Sequence, residues 1–222
     1  MKLYIYDHCP YCVKARIIFG IKKIDFELIT LLNDDEVTPI SMVGQKLLPI
    51  LEKEDGSYMP ESMDIVAYID NNYGKPALER GLHPELEEWL GRMRIYTYKL
   101  TMPRWARVPD RQFSEFLQEF TTESARDYFT KKKEAYIGSF TEHLDNSSQY
   151  ILEVNDLLKD LEQIIKIEHL VAEKPEEIDI HLFTTLRSLS IVKGLKYPKK
   201  VNNYRLYMSD YSGVPLHDEI AV

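Results

Sequence analysis

Along the first third of the chain, the apolar positions switch repeatedly between a strand-like and a helix-like period. Residues 2–6, Lys-Leu-Tyr-Ile-Tyr, are rich in aromatic and β-branched side chains and predict a buried strand. From Pro10 onward, Val13, Ile17, Ile18 and Ile21 recur at helical spacing with Lys14, Arg16 and Lys22 between them. Pro10 suits a first helical position, where its missing N–H costs nothing. Residues 25–31 predict a second strand. Residues 33–44 predict a short helix capped by Asn33 or Asp34 and stopped by Gly44, with Pro39 as a break or kink. Asp55-Gly56 marks a hairpin between strands near 49–53 and 57–59. Ser62 then caps a helix that turns Ile65, Val66 and Ile69 inward and ends at Gly74. This order predicts a compact α/β domain with a mixed sheet over residues 1–73.

Residues 74–83 carry glycines and a proline and read as a linker. Beyond them strand alternation disappears. Leu86, Trp89, Leu90, Met93 and Leu100 keep helical spacing, and the stretch around 178–195 is apolar on several sides, as a central helix would be. Residues 84–222 therefore predict an all-helical second domain.

Composition narrows the partners. Acidic residues outnumber basic ones by 36 to 28, for a net charge of −8. A groove that tracks phosphates needs the opposite bias, so nucleic acid is excluded as a first reading. No apolar run approaches the roughly 20 residues of a membrane helix. The N-terminal stretch is too short and too polar at its end for a signal peptide. The expectation is a cytoplasmic protein without membrane partners, and a monomer.

Both cysteines of the chain lie in Cys9-Pro10-Tyr11-Cys12, at the turn from the first strand into the first helix. A pair so close would close a tiny loop and constrain the unfolded chain little, which weakens a structural-bridge reading. Zinc normally takes four ligands, and no second cysteine pair or histidine cluster accompanies these two. Redox chemistry fits better. Residues three apart on a helix approach within disulfide reach. The unpaired N–H groups and dipole of the helix N-terminus favour negative charge at Cys9. Cys9 is thus the expected attacking sulfur and Cys12 the less exposed resolving sulfur. On these four residues alone, metal binding and two inert thiols remain open readings.

Three motifs in order carry a resemblance. Cys9-Pro10-Tyr11-Cys12 looks like the glutaredoxin active site. Residues 46–50, Lys-Leu-Leu-Pro-Ile, resemble the cis-proline stretch of thioredoxin-fold proteins, and residues 60–70 resemble the Glu-Ser signature of glutathione transferases. With its helical second half, the chain resembles the two-domain, transferase-like glutaredoxin 2 family of bacteria along nearly its full length. The resemblance implies a thioredoxin-like N-terminal domain and a glutathione-transferase-like all-α C-terminal domain. It implies Cys9 as nucleophile and Cys12 as resolving thiol. It also implies a glutathione site in which cis Pro49 brings up the backbone of Leu48 and Glu61 with Ser62 holds the γ-glutamyl group. Lys46 is a candidate for the glycyl carboxylate, and Pro10 and Tyr11 flank the ligand. Transferase-like helical domains often cap their central helix with Ser or Thr three residues before an Asp; here Asp179 is present but Glu176 takes the cap position. Arg104, Trp105 and Arg107 are candidates to line an interdomain cleft, with packing and surface charge as the commoner use of such residues.

The implied function is a glutathione-dependent thiol–disulfide oxidoreductase acting on protein disulfides and glutathionylated proteins, with glutathione as co-substrate and no tightly bound cofactor or metal. The alternatives are a glutathione transferase acting on electrophiles, or a non-catalytic redox switch that binds a partner.

Overall fold

A computed structural model describes residues 1–165 and 175–222. The chain divides into two compact units. One comprises residues 1–77 and 109–132; the other comprises residues 78–108 and 133–222. The first unit thus takes in a stretch of the helical half as well as the cysteines.

The first unit is built on four strands, β1 (Lys2–Ile5), β2 (Glu27–Thr30), β3 (Ile50–Glu52) and β4 (Tyr58–Pro60), in the order β2-β1-β3-β4. β1 runs parallel to β2, with Leu3 opposite Leu28, and antiparallel to β3, with Leu3 opposite Leu51. Leu3, Tyr4 and Ile5 are all buried, so the central strand is covered on both faces and reads as an apolar run. The β1-to-β2 connection is α1 (Pro10–Ile21), which buries Val13, Ile17, Ile18 and Ile21 as the spacing predicts. α3 (Ser62–Asn72) packs against it. The β3–β4 hairpin turns at Gly56, whose positive φ of 80° suits glycine, with Asp55 Oδ1 accepting from the Ser57 N–H.

Two local expectations shift. α2 (Val37–Val43) starts later than expected, and Asp35, not Asn33 or Asp34, supplies the carboxylate that accepts from the Thr38 N–H at 3.0 Å. Pro39 falls in its first turn, where no intrahelical N–H is lost. α3 begins at Ser62 with Glu61 as N-cap, so Ser62 is not the cap. Glu61 takes φ +69°, a conformation uncommon for a side-chain-bearing residue, and the chain thereby enters the helix one position early.

The same unit contains α5 (Asp110–Phe116), a 3-10 turn (Gln118–Phe120) and the first part of α6 (Glu123–Ile137). Leu117, Phe113, Phe120 and Phe129 are buried here.

In the second unit, α4 (Pro84–Trp105) packs on α7 (Phe140–Asp145), α8 (Ser147–Ile164) and α9 (Glu177–Leu189), and α10 (Lys199–Ser212) packs on α8 and α9. Trp89 is buried and donates its indole N–H to the Leu157 carbonyl. Glu176 does cap α9. Its side chain accepts from the Asp179 N–H, and the Asp179 carboxylate accepts from the Glu176 N–H at 2.9 Å, a complete capping box with a glutamate in the usual Ser/Thr place. Arg104 and Trp105 are buried inside this unit, Arg104 donating to the carbonyls of Leu100 and Val222, so both serve packing; Arg107 is exposed. No helix among the described residues is long and apolar enough to cross a membrane.

Candidate active site

β1 ends at Ile5 and α1 starts at Pro10, and the intervening turn delivers Cys9 to the N-cap of α1 in an extended conformation (φ −72°, ψ 120°). The Cys9 N–H donates to the Tyr6 carbonyl at 3.2 Å, which fixes the turn. Pro10 holds the first helical position. Cys12 follows one turn inside; it is fully buried and accepts from the Tyr6 N–H at 3.4 Å through sulfur. Cys9 is half-buried, Tyr11 is 49% exposed, and both sulfurs are free thiols.

This arrangement separates the two sulfurs chemically. The Cys12 S–H hydrogen-bonds Cys9, and this is the largest influence on Cys9; burial opposes it, while His8 and the backbone N–H groups of Cys12 and Tyr11 assist. The net result lowers the Cys9 pKa to about 6. Burial first, and then the neighbouring Cys9, push the Cys12 thiol well above its ordinary value. Neutral pH therefore favours a thiolate at Cys9 and a protonated thiol at Cys12.

The Leu48–Pro49 peptide bond is cis, as the resemblance implies, with Pro49 buried and Leu48 half-buried just before β3. Glu61 is exposed and Ser62 buried at the start of α3, where the first-turn N–H groups lack intrahelical partners. Lys46 is half-buried. Its Nζ donates to the Asn33 carbonyl at 2.7 Å and lies 3.6 Å from the centre of the Tyr128 ring. Burial drives its pKa down to about 8.

Sequence reasoning missed the contribution of residues 109–132. Glu119, wholly buried, accepts from the backbone N–H of His8 at 2.9 Å and pairs with His8 Nδ1 at 2.7 Å through the same oxygen. Its carbonyl accepts from the Asn33 N–H. Ser124 bonds Asp34, and Tyr128 bonds Glu36. The loop after β2 is thus tied to this segment by three successive contacts. A glutamate between Gln118 and Phe120 carries no pattern that distinguishes it from a surface acid. Among the described residues, no group of three or more His, Cys, Asp or Glu side chains is arranged to hold a metal ion.

A thioredoxin-like sheet with a dithiol at its first helix, followed by a helical second half, defines the glutathione-transferase architecture carrying a glutaredoxin-type site. Residues 3–77 match the family model for the glutathione S-transferase N-terminal domain, and residues 85–221 match that for the glutaredoxin 2 C-terminal domain. The chain is 47% identical to glutaredoxin 2 of Escherichia coli (strain K12) over 100% of both sequences. The crystal structure of glutaredoxin 2 from Salmonella typhimurium in complex with glutathione matches at a TM-score of 0.93 and 47% identity, over 100% of this chain and 98% of that one. A glutathione S-transferase from Rhodospirillum rubrum F11 shares the fold alone, at a TM-score of 0.53 and 15% identity over 94% of this chain and 86% of that one. The chain belongs to the glutaredoxin 2 family.

Proposed function

We propose that the protein is a glutathione-dependent thiol–disulfide oxidoreductase that uses Cys9 as nucleophile and Cys12 as resolving thiol. The observation that carries this reading is the asymmetric pair itself: Cys9 half-buried at a helix N-cap with its pKa lowered to about 6, backed by a buried thiol that donates to it. The glutathione complex of the Salmonella typhimurium relative supports glutathione as the partner.

With a glutathionylated protein, the Cys9 thiolate attacks the glutathione sulfur and the mixed disulfide breaks. The protein thiolate leaves and takes a proton from water. A second glutathione, as thiolate, attacks the Cys9–glutathione disulfide, releasing glutathione disulfide and regenerating the Cys9 thiolate. With a protein disulfide, Cys12 displaces the substrate from Cys9 to form the Cys9–Cys12 disulfide, and two glutathiones reduce it. Each step exchanges one S–S bond for another, so no bound cofactor is required.

The glutathione site follows the same reading. Leu48, presented beside cis Pro49, offers its N–H and C=O to the cysteinyl backbone as an added strand would. Ser62 and the open N-terminus of α3 receive the γ-glutamyl carboxylate, with Glu61 toward its ammonium. The positive φ of Glu61 supports this, because strained backbone concentrates at ligand-holding positions. Pro10 and Tyr11 flank the tripeptide, and Lys46, already anchored on Asn33 and Tyr128, stands toward its glycyl end. We place the protein in the cytoplasm, acting as a monomer on disulfide-bonded or glutathionylated proteins.

The deciding assay is glutathione-dependent reduction of a glutathione mixed disulfide by the parent, Cys9→Ser and Cys12→Ser. Loss of turnover in Cys9→Ser with turnover largely kept in Cys12→Ser is the expected result. An inactive parent, or activity indifferent to Cys9→Ser, overturns the reading.

A further inference from the structure

The His8–Glu119 pair is a buried feature that the thiol exchange steps leave unused. Glu119 is 0% exposed and His8 only 5%. A carboxylate taken out of water is costly unless paired, and both partners of Glu119 Oε1 come from one residue, the ring and the backbone N–H of His8. Glu119 Oε2 meets no hydrogen-bond donor among the described residues. The surroundings are aromatic. The His8 ring lies 4.9 Å from Phe120, 5.1 Å from Phe129 and 5.9 Å from Tyr6, centroid to centroid. A dry wall of this kind strengthens any charge interaction across it. His8 directly precedes the nucleophile, so the backbone hydrogen bond from its N–H also anchors the turn that carries Cys9.

We propose that Glu119 is a positioning residue for the reaction: its buried carboxylate holds the His8 ring and backbone in place, next in the chain to Cys9, where a proton on the ring favours the thiolate. The histidine end of the pair favours the Cys9 thiolate, whereas its carboxylate end disfavours a Cys12 thiolate. The buried pair thus separates the two sulfurs in acidity in the direction the exchange needs. The other titratable groups around Cys9 are Cys12, Lys14 and the Tyr6 phenol, and Asp7 with Arg16 forms a separate pair next to the turn. The inference rests on Cys9 being the nucleophile, as proposed above.

The test is the pH dependence of Cys9 alkylation by iodoacetamide, followed by mass spectrometry on the full reduced chain. In Glu119→Gln the side chain keeps its shape and can still accept from His8 but loses its charge. The Cys9 midpoint should rise by about one pH unit, a roughly tenfold loss of thiolate on the acid side. Glu119→Asp should recover part of that shift. His8→Gln should raise the midpoint similarly, and the double variant should add little to either single change. A folded Glu119→Gln with the parental midpoint overturns the proposal. If Glu119→Gln does not fold, an unshifted midpoint in His8→Gln overturns it equally. The parent alone supplies a further check through the ¹⁵N shifts of the His8 ring at the pH where Cys9 is half ionised: a cationic ring supports the proposal and a neutral one overturns it. These readouts do not require turnover. A parent whose Cys9 shows no low-pH reactivity would instead sink the nucleophile assignment itself.

Discussion

Replacing Cys12 by alanine tests the largest single influence on the nucleophile. The Cys12 thiol, as a hydrogen-bond donor to Cys9, is the largest cause of the lowered Cys9 pKa, and alanine removes that donor while leaving the helix N-terminus and His8 untouched. Serine keeps a hydroxyl donor at the same place. A hydrogen bond to a charged group contributes about 1.5–3 kcal/mol, and one pKa unit corresponds to about 1.4 kcal/mol, so the Cys9 midpoint should rise by about one to two units in Cys12→Ala. For a shift of about 1.5 units from a starting value near 6, the thiolate population at pH 6 falls from about half to about a thirtieth. A less acidic thiol is also a better nucleophile once ionised, by about fivefold for that shift. The alkylation profiles of parent and Cys12→Ala should therefore cross, with the variant slower below neutrality and faster above pH 9. Cys12→Ser should stay near the parent. General damage to the site would lower both arms and could not produce the crossing. Superposable midpoints for the parent, Cys12→Ala and Cys12→Ser would refute the hydrogen-bond argument and leave the helix terminus and His8 as the sources of the acidity.

Two further substitutions probe how the first and second units are held together internally. Tyr128→Leu removes the ring under Lys46 Nζ and the hydroxyl that bonds Glu36, and should lower stability by about 1–2 kcal/mol in urea unfolding. Tyr128→Phe, which keeps the ring, should lose less than half of that. Asp179→Ala removes the reciprocal half of the α9 capping box and the closer of two acceptors of the buried Tyr204 hydroxyl, at a cost of about 1–3 kcal/mol. Asp179→Asn, which keeps an acceptor, should be milder, and equal loss in both variants would contradict the capping account.

What could be read from the sequence was what neighbouring residues decide. α1 was visible because Pro10 and the spacing of Val13, Ile17 and Ile21 act within one helix, and the hairpin because Asp55-Gly56 is a local turn. The cis bond at Pro49 and the dithiol were reached through short motifs. Where the reading slipped, backbone conformation or distance in the chain was responsible. Nothing in Pro-Glu-Ser announces that Glu61 will take a positive φ and so pass the N-cap role from Ser62 to itself. Glu176 looked like a departure from a capping pattern, yet its longer side chain reaches the Asp179 N–H and completes the same pair of bonds. Arg104 leaves a cleft role and a packing role open in the sequence, and its burial as a donor to two carbonyls decides for packing.

Glu119 shows why the surroundings of Cys9 are not set by Cys-Pro-Tyr-Cys alone. It stands 111 residues from His8 in the chain, a separation at which no local pattern can signal a contact. A carboxylate can act on His8 with force only where water is excluded, and the residues that exclude it, Phe120 and Phe129 packed against the ring, arrive on the same stretch of chain as the acid. The charge and its dry surroundings therefore come together or not at all. The contacts from Asn33 to Glu119, Asp34 to Ser124 and Glu36 to Tyr128 tie that stretch to the loop after β2, next to Lys46. The helical half of the sequence thus contributes a working part of the unit that bears the dithiol, which gives a physical reason for a glutaredoxin-type site to carry so many residues beyond its sheet.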